Sequence, residues 1–311
     1  MSSTILVTDT LFIFDEHIKQ LEQAGFTVER LAKPDATEEE LCLAIKGKVG
    51  YILGGLEKVT PAVIAAADEL KAIAFTGSDW RSFVPAYAEA TERDILITNA
   101  PGANAYAVAE YTITLMLMML RRALELGSTG TSKFMTTHSI VNARVGIVGM
   151  GRIGEMVARM LVGLGVTDIV YWSRTAKPSL QDELGLKFMP LAELVATSDI
   201  ITTHVPGSAG EVLTGDLLKT VKDGAVLINT GADESYNKDG LYDLLADQKA
   251  RAAFDNPIDE HRFAKLTADV WFYSNACTAY NTHEAAQLAS DMATQSLINL
   301  LTTGQDDYRV N

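Results

Sequence analysis

Short β-branched apolar runs alternate along the chain with segments whose apolar residues recur at helical spacing. Thr4–Val7 precedes the amphipathic stretch Glu16–Ala24, and Thr27–Arg30 follows it. Tyr51–Leu53, Ala72–Phe75 and Ile95–Thr98 are further strand candidates, separated by helical segments such as Pro61–Glu69. A compact apolar run of four to eight residues suits a buried strand, and a 3.6-residue period suits a helix. Strand and helix in regular alternation predict a parallel sheet covered on both faces.

The plan occurs twice. Pro101 and Gly102 punctuate a loop, Asn104 is placed to cap a helix, and the helical pattern then runs to about Leu126. At ~1.5 Å per residue this makes a rod of roughly 30 Å, long enough to bridge two domains. New strands are expected at Arg144–Val148, Asp168–Trp172, Ile200–Thr203, Ala225–Asn229 and Ala252–Phe254. A helix over Thr282–Leu301 closes the pattern and is expected to pack back on the first domain.

Bulk properties narrow the partners. A length of 311 residues suits two ordinary domains. The net charge of −14 argues against nucleic acid or an anionic membrane as the main partner. An anionic ligand would need a local positive pocket. The two cysteines, Cys42 and Cys277, form no CxxC or Cys/His cluster, so neither a disulfide framework nor a metal site is expected, and a cytoplasmic setting fits. The N-terminal stretch lacks a secretion-signal pattern, and the apolar run Tyr111–Leu120 falls short of the ~20 residues that cross a bilayer.

Chemistry enters at Gly146–Gly154, GIVGMGRIG, where Gly149, Gly151 and Gly154 are spaced GxGxxG between an apolar run and a helical pattern. The first glycine permits a tight turn, the second lets backbone approach a diphosphate, and the third seats the helix close to the strand. Arg152 and Ile153 lie inside this loop. An acidic residue about 20 positions on would hold the ribose 2′-hydroxyl of NAD. The chain instead reads Ser173-Arg174-Thr175 there. A guanidinium forks onto a 2′-phosphate, with the two hydroxyls donating beside it, so NADP(H) is expected in preference to NAD(H).

Taken together, Thr76–Asp79, Asn99–Gly102 with Val108–Glu110, the glycine loop, His204–Pro206, Leu227–Thr230 and Ala252–Asp255 resemble the D-isomer-specific 2-hydroxyacid dehydrogenases. The Trp172–Thr175 stretch is similar to that of the family's NADPH-dependent glyoxylate/hydroxypyruvate reductases. The resemblance implies an α/β chain of two Rossmann-like or flavodoxin-like domains with parallel sheets and a cleft between them. Residues 1–102 with 282–311 would form the substrate domain, and residues 103–281 the dinucleotide-binding domain. It also implies hydride transfer to a small-molecule substrate. The amides of Thr76 and Gly77 would hold the substrate carboxylate, Asp255 would meet the nicotinamide carboxamide, and Pro206 and Thr230 would line the cofactor. The helix carrying Met116, Met118 and Met119 is a homodimer contact in that family; the alternative is a core helix of one domain.

The family's catalytic arginine, glutamate and histidine are only partly matched. The resemblance places them at Ala232, Glu260 and Cys277. Loss of a charge stabiliser or a general acid typically costs ~10²–10⁴ in rate. Cys277, Tyr280 and His283 are candidate proton donors, each with a packing role as the alternative; Tyr236 is a weaker one, and Arg81 a candidate replacement charge. Two functions stay open: an NADP(H)-dependent oxidoreductase acting on a small carbonyl or imine, or a catalytically degenerate NADP(H)-binding regulator or sensor.

Overall fold

The computed structural model describes residues 3–8, 13–33, 35–128, 135–274 and 278–311. Two compact units form, Met1–Asn104 with Asn281–Asn311, and Ala105–Tyr280.

The first unit is built on strands β1 (Thr4–Val7), β2 (Thr27–Arg30), β3 (Lys48–Leu53), β4 (Ala72–Phe75) and β5 (Leu96–Thr98). Their order is β2-β1-β3-β4-β5, and every neighbouring pair is parallel. The central strands are apolar on both faces because helices cover both. One cover is the helix His283–Thr303, whose Ala293, Leu297 and Leu300 pack on Ile5, Ile52, Ala72 and Ala74. Thr282 caps its start by accepting from the Ala285 amide at 3.1 Å, and Gly304 ends it at φ 72°.

The second unit holds β6 (Val145–Val148), β7 (Ile169–Trp172), β8 (Lys187–Phe188), β9 (Ile200–Thr203), β10 (Ala225–Asn229), β11 (Ala250–Phe254) and β12 (Trp271–Tyr273). Their order is β12-β11-β10-β9-β6-β7-β8, again with all neighbouring pairs parallel. β8 and β12 escape the hydrophobic pattern. One is two exposed residues and the other three aromatics, and pairing at the sheet edges makes them strands.

The expected rod to Leu126 is broken. The helix Ala105–Leu120 stops, Arg122 takes φ 49°, and a new helix spans Ala123–Ser128. The Arg251 guanidinium donates to the Met119 carbonyl at 2.7 Å, satisfying one of the free carbonyls at that helix end. Met116 and Met119 are buried in the core of this unit with Val157, Leu161 and Ile228, which removes both from any surface between copies. Met118 is half-buried against the same core.

Candidate functional site

The second sheet lines up its loop residues. Val148 pairs with Trp172 and Thr203, Thr203 with Asn229, and Asn229 with Phe254. The next residue on each strand therefore falls in one row across the carboxyl edge: Ser173, Gly149, His204, Thr230 and Asp255. At ~4.8 Å per strand the row spans ~19 Å. Between β6 and β9 the strand order reverses, and open α/β sheets bind ligands at the carboxyl ends beside such a switch point.

The glycine loop sits at that point. Gly149 holds φ 101°, and a Cβ there would lie 2.4 Å from the His204 carbonyl oxygen. A Cβ on Gly154 would lie 2.1 Å from the Gly149 oxygen, so the helix Arg152–Gly163 can approach β6 only with glycine there. A Cβ on Gly151 would meet nothing within 4 Å, leaving room at the helix N-terminus for a bound group. Helix N-termini favour anions through free amides and the helix dipole.

A cavity of about 630 Å³ opens beside the loop. Arg174 and Lys177 are its charged lining residues, and no carboxylate lines it. Both cations are exposed, with no ion-pair partner among the described residues. Their loop is tied down from within. The Lys177 amide donates to the buried Tyr171 hydroxyl at 2.7 Å, and Ser173 Oγ donates to the Thr175 carbonyl at 2.6 Å. The Ser173 proton is therefore spent inside the loop, which corrects the expectation that Ser173 donates to a phosphate; its oxygen can still accept. Lys177, Ser208 and His204 line the cavity although the sequence reading gave none of them a binding role. Two positive residues three apart in a loop of an acidic chain was the available signal for Lys177.

The remaining expected cofactor residues separate. Pro206 lines the cavity with Gly149, Gly151, Ser173, Arg174 and Thr175. Arg152 is exposed at the first helical position, and Ile153 packs against the core; neither lines the cavity. Thr230 and Asp255 stand further along the row. Thr112 Oγ1 donates to the Val108 carbonyl at 2.7 Å, so its 3.0 Å contact with Thr230 Oγ1 makes Thr230 the donor. That leaves the Thr230 oxygen as an acceptor. Asp255 is buried and accepts the amides of Thr278 and Ala279, each at 3.0 Å, so it also ties residues 278–279 to the end of β11.

Among the expected catalytic residues, Glu260 and Tyr280 belong to the second unit. Glu260 accepts from Arg262 Nε at 2.7 Å and pairs with its Nη2 at 2.6 Å, and Arg262 reaches Asp239 at 2.7 Å. A carboxylate so held is an ion-pair partner in this structure rather than a free proton donor. Cys277 lies outside the described residues. Tyr280 is half-buried in the turn ahead of the last helix. His283 belongs to the first unit, is exposed, and sets its ring 5.4 Å from that of Phe14. Tyr236 is buried with its hydroxyl 2.7 Å from Thr203 Oγ1, and burial raises its pKa, which corrects its candidacy as a proton donor. Arg81 lies over the Trp80 ring at 4.5 Å. Ala232 turns the chain, its carbonyl accepting from Asn229 Nδ2 at 3.1 Å and Ser235 Oγ at 2.8 Å. In the first unit the Thr76 amide donates to the Leu53 carbonyl at 3.1 Å. That corrects its expected role as a carboxylate donor; the Gly77 amide has no acceptor among the described residues.

Comparison with known proteins agrees with this geometry. Residues 113–279 match the family model of the D-isomer specific 2-hydroxyacid dehydrogenase, NAD binding domain. Hydroxypyruvate reductase of Thermotoga maritima is 29% identical over 261 residues, 80% of this chain and 82% of that one. D-3-phosphoglycerate dehydrogenase of Methanocaldococcus jannaschii is 30% identical over 266 residues, 82% of this chain and 49% of that one. The chain thus spans about half the length of the phosphoglycerate dehydrogenases it matches. A crystal structure of a Thermus thermophilus protein superposes with a TM-score of 0.87 at 25% identity, covering 99% of this chain and 100% of that one. The glycine loop at the switch point, the row of loop residues and these likenesses converge: the chain belongs to the D-isomer specific 2-hydroxyacid dehydrogenase family.

Proposed function

We propose that the protein is an NADP(H)-dependent oxidoreductase that passes hydride between its cofactor and a small carbonyl or imine. The observation that carries the cofactor preference is the lining of the 630 Å³ cavity, two cations and no carboxylate in a chain of net charge −14. The residues fit the group. The glycine loop and helix N-terminus suit a diphosphate, Arg174 offers a planar fork to a 2′-phosphate, and Lys177 adds a point charge. When bound, such a cofactor would carry the hydride on its nicotinamide ring, which Thr230 and Asp255 would hold. The Gly77 amide, in the first unit, is read as a donor to a substrate carboxylate, and the chain acts as a homodimer.

Fluorescence titration with NADPH and NADH tests the reading. NADPH should bind at least ~10-fold tighter, and Arg174→Ala should weaken NADPH by ~10–100-fold while leaving NADH unchanged, as expected for a hydrogen bond to a charged group. Equal affinities in the parent protein would remove the NADP(H) preference. Turnover is read as loss of NADPH absorbance with glyoxylate, hydroxypyruvate, aldehydes and imines, and sedimentation reads the dimer.

A second reading, a non-catalytic NADP(H)-binding protein, is favoured by Ala232 and by the ion pair that engages Glu260. Ala232→Arg combined with Cys277→His separates the two. A large gain with glyoxylate or hydroxypyruvate would identify a disarmed site, and turnover by the parent protein would exclude this reading.

A further inference from the structure

His204 follows β9 in the row, beside Gly149, and lines the cavity. Its Nε2 lies 3.0 Å from Thr202 Oγ1. Thr202 is buried, and its hydroxyl has no other partner among the described residues. A buried hydroxyl that kept its proton unused would carry an uncompensated desolvation penalty, so the arrangement that satisfies both groups has Thr202 donating to Nε2. The proton of the neutral ring then sits on Nδ1. Burial also drives the His204 pKa down to about 3, so the ring is neutral at physiological pH. Among the described residues Nδ1–H meets no acceptor. Lining an open cavity, that Nδ1–H can donate to solvent or to a bound ligand, and the adjacent glycine loop suits a diphosphate.

We propose that the Nδ1–H of His204 is a hydrogen-bond donor to the diphosphate bridge of the bound dinucleotide, held in that orientation by Thr202. The inference rests on the dinucleotide reading given above. It assigns this side chain a different part of the ligand from Arg174. The diphosphate is common to NADPH and NADH, whereas the 2′-phosphate belongs to NADPH alone. A donor on an uncharged ring adds direction at the switch point without adding a third cation to the cavity.

The experiment is equilibrium titration of the full chain with NADPH, NADH and adenosine 2′-monophosphate, which carries the 2′-phosphate but neither phosphate of the bridge. His204→Phe keeps a ring and loses the N–H. It should weaken NADPH and NADH alike, by about tenfold, and leave adenosine 2′-monophosphate within about twofold. Retained adenosine 2′-monophosphate binding shows that the pocket is folded. His204→Asn puts an amide N–H near the place of Nδ1 and should recover most of the loss. Undiminished dinucleotide affinity in His204→Phe would overturn the inference, as would His204→Asn binding as weakly as His204→Phe. A parent protein that binds neither dinucleotide would instead sink the function reading, before any variant is compared.

Discussion

The two sheets share a plan, and they differ most at the place where strand order reverses. In the first unit that place lies between β1 and β3. Buried polar groups occupy it: the hydroxyls of Thr8 and Tyr51 both donate to Glu57 Oε1, the tyrosine at 3.0 Å. Burial and the nearby carboxylate raise the Tyr51 pKa well above its ordinary value, so the phenol stays a donor. In the second unit the same place, between β6 and β9, carries the glycine turn, a cavity and two cations. Topology supplies a crevice in both units, and side chains settle whether it holds a carboxylate or welcomes an anion.

The comparison can be broken from either side. Gly149→Val attacks the open crevice. It forces a β-branched residue to φ 101° with its Cβ 2.4 Å from the His204 carbonyl. Strain of that kind costs ~1–3 kcal/mol before the clash is counted. Dinucleotide affinity should fall by more than ~100-fold, with a lower melting temperature; near-parental binding would mean that the loop does not seat the ligand. Glu57→Leu attacks the filled crevice. Thr8 and Tyr51 lose their acceptor, and urea unfolding should show a loss of ~2–3 kcal/mol. The folded protein should keep its NADPH affinity, and a large loss there would show that the two crevices are not independent.

A smaller effect sharpens the picture by pH. The His204 pKa is lowered to about 3 in the folded chain, against ~6.5 for a free imidazole. Between those values the unfolded chain binds the extra proton, so this group makes stability fall as pH drops through that window and adds nothing above it. His204→Asn should therefore lose ~2.5 kcal/mol less than the parent between pH 7 and pH 4.5, read from urea midpoints. Parallel losses in both proteins would place the histidine in a wetter setting than its burial indicates.

Much of the fold was legible because it is periodic. Nine of the strands announce themselves as apolar runs between turn residues, and GIVGMGRIG carries the geometry of its own loop. The interruption at Arg122 was not legible, because nothing in the helical pattern forbids continuing it. β12 was not legible either, since three aromatics become a strand only by pairing with β11. In the site, Arg174 was visible as a basic residue where an acidic one would mark NAD. Lys177 was signalled only by its spacing from Arg174, its place at the cavity depending on how the loop folds under Tyr171, and the Nδ1–H of His204 was not legible, because it depends on which nitrogen Thr202 engages.

The amino-acid order by itself determined two α/β layers, a dinucleotide loop and its basic neighbour, since backbone sterics and local hydrophobic spacing act over a few residues. Tertiary structure alone decided which side chains were already committed. The Ser173 hydroxyl proton, the Thr76 amide and one Glu260 oxygen are engaged inside the protein, and their partners range from two residues to more than twenty away along the chain. Availability for a ligand depends on every neighbour at once, and neighbours exist only after the sheets have assembled.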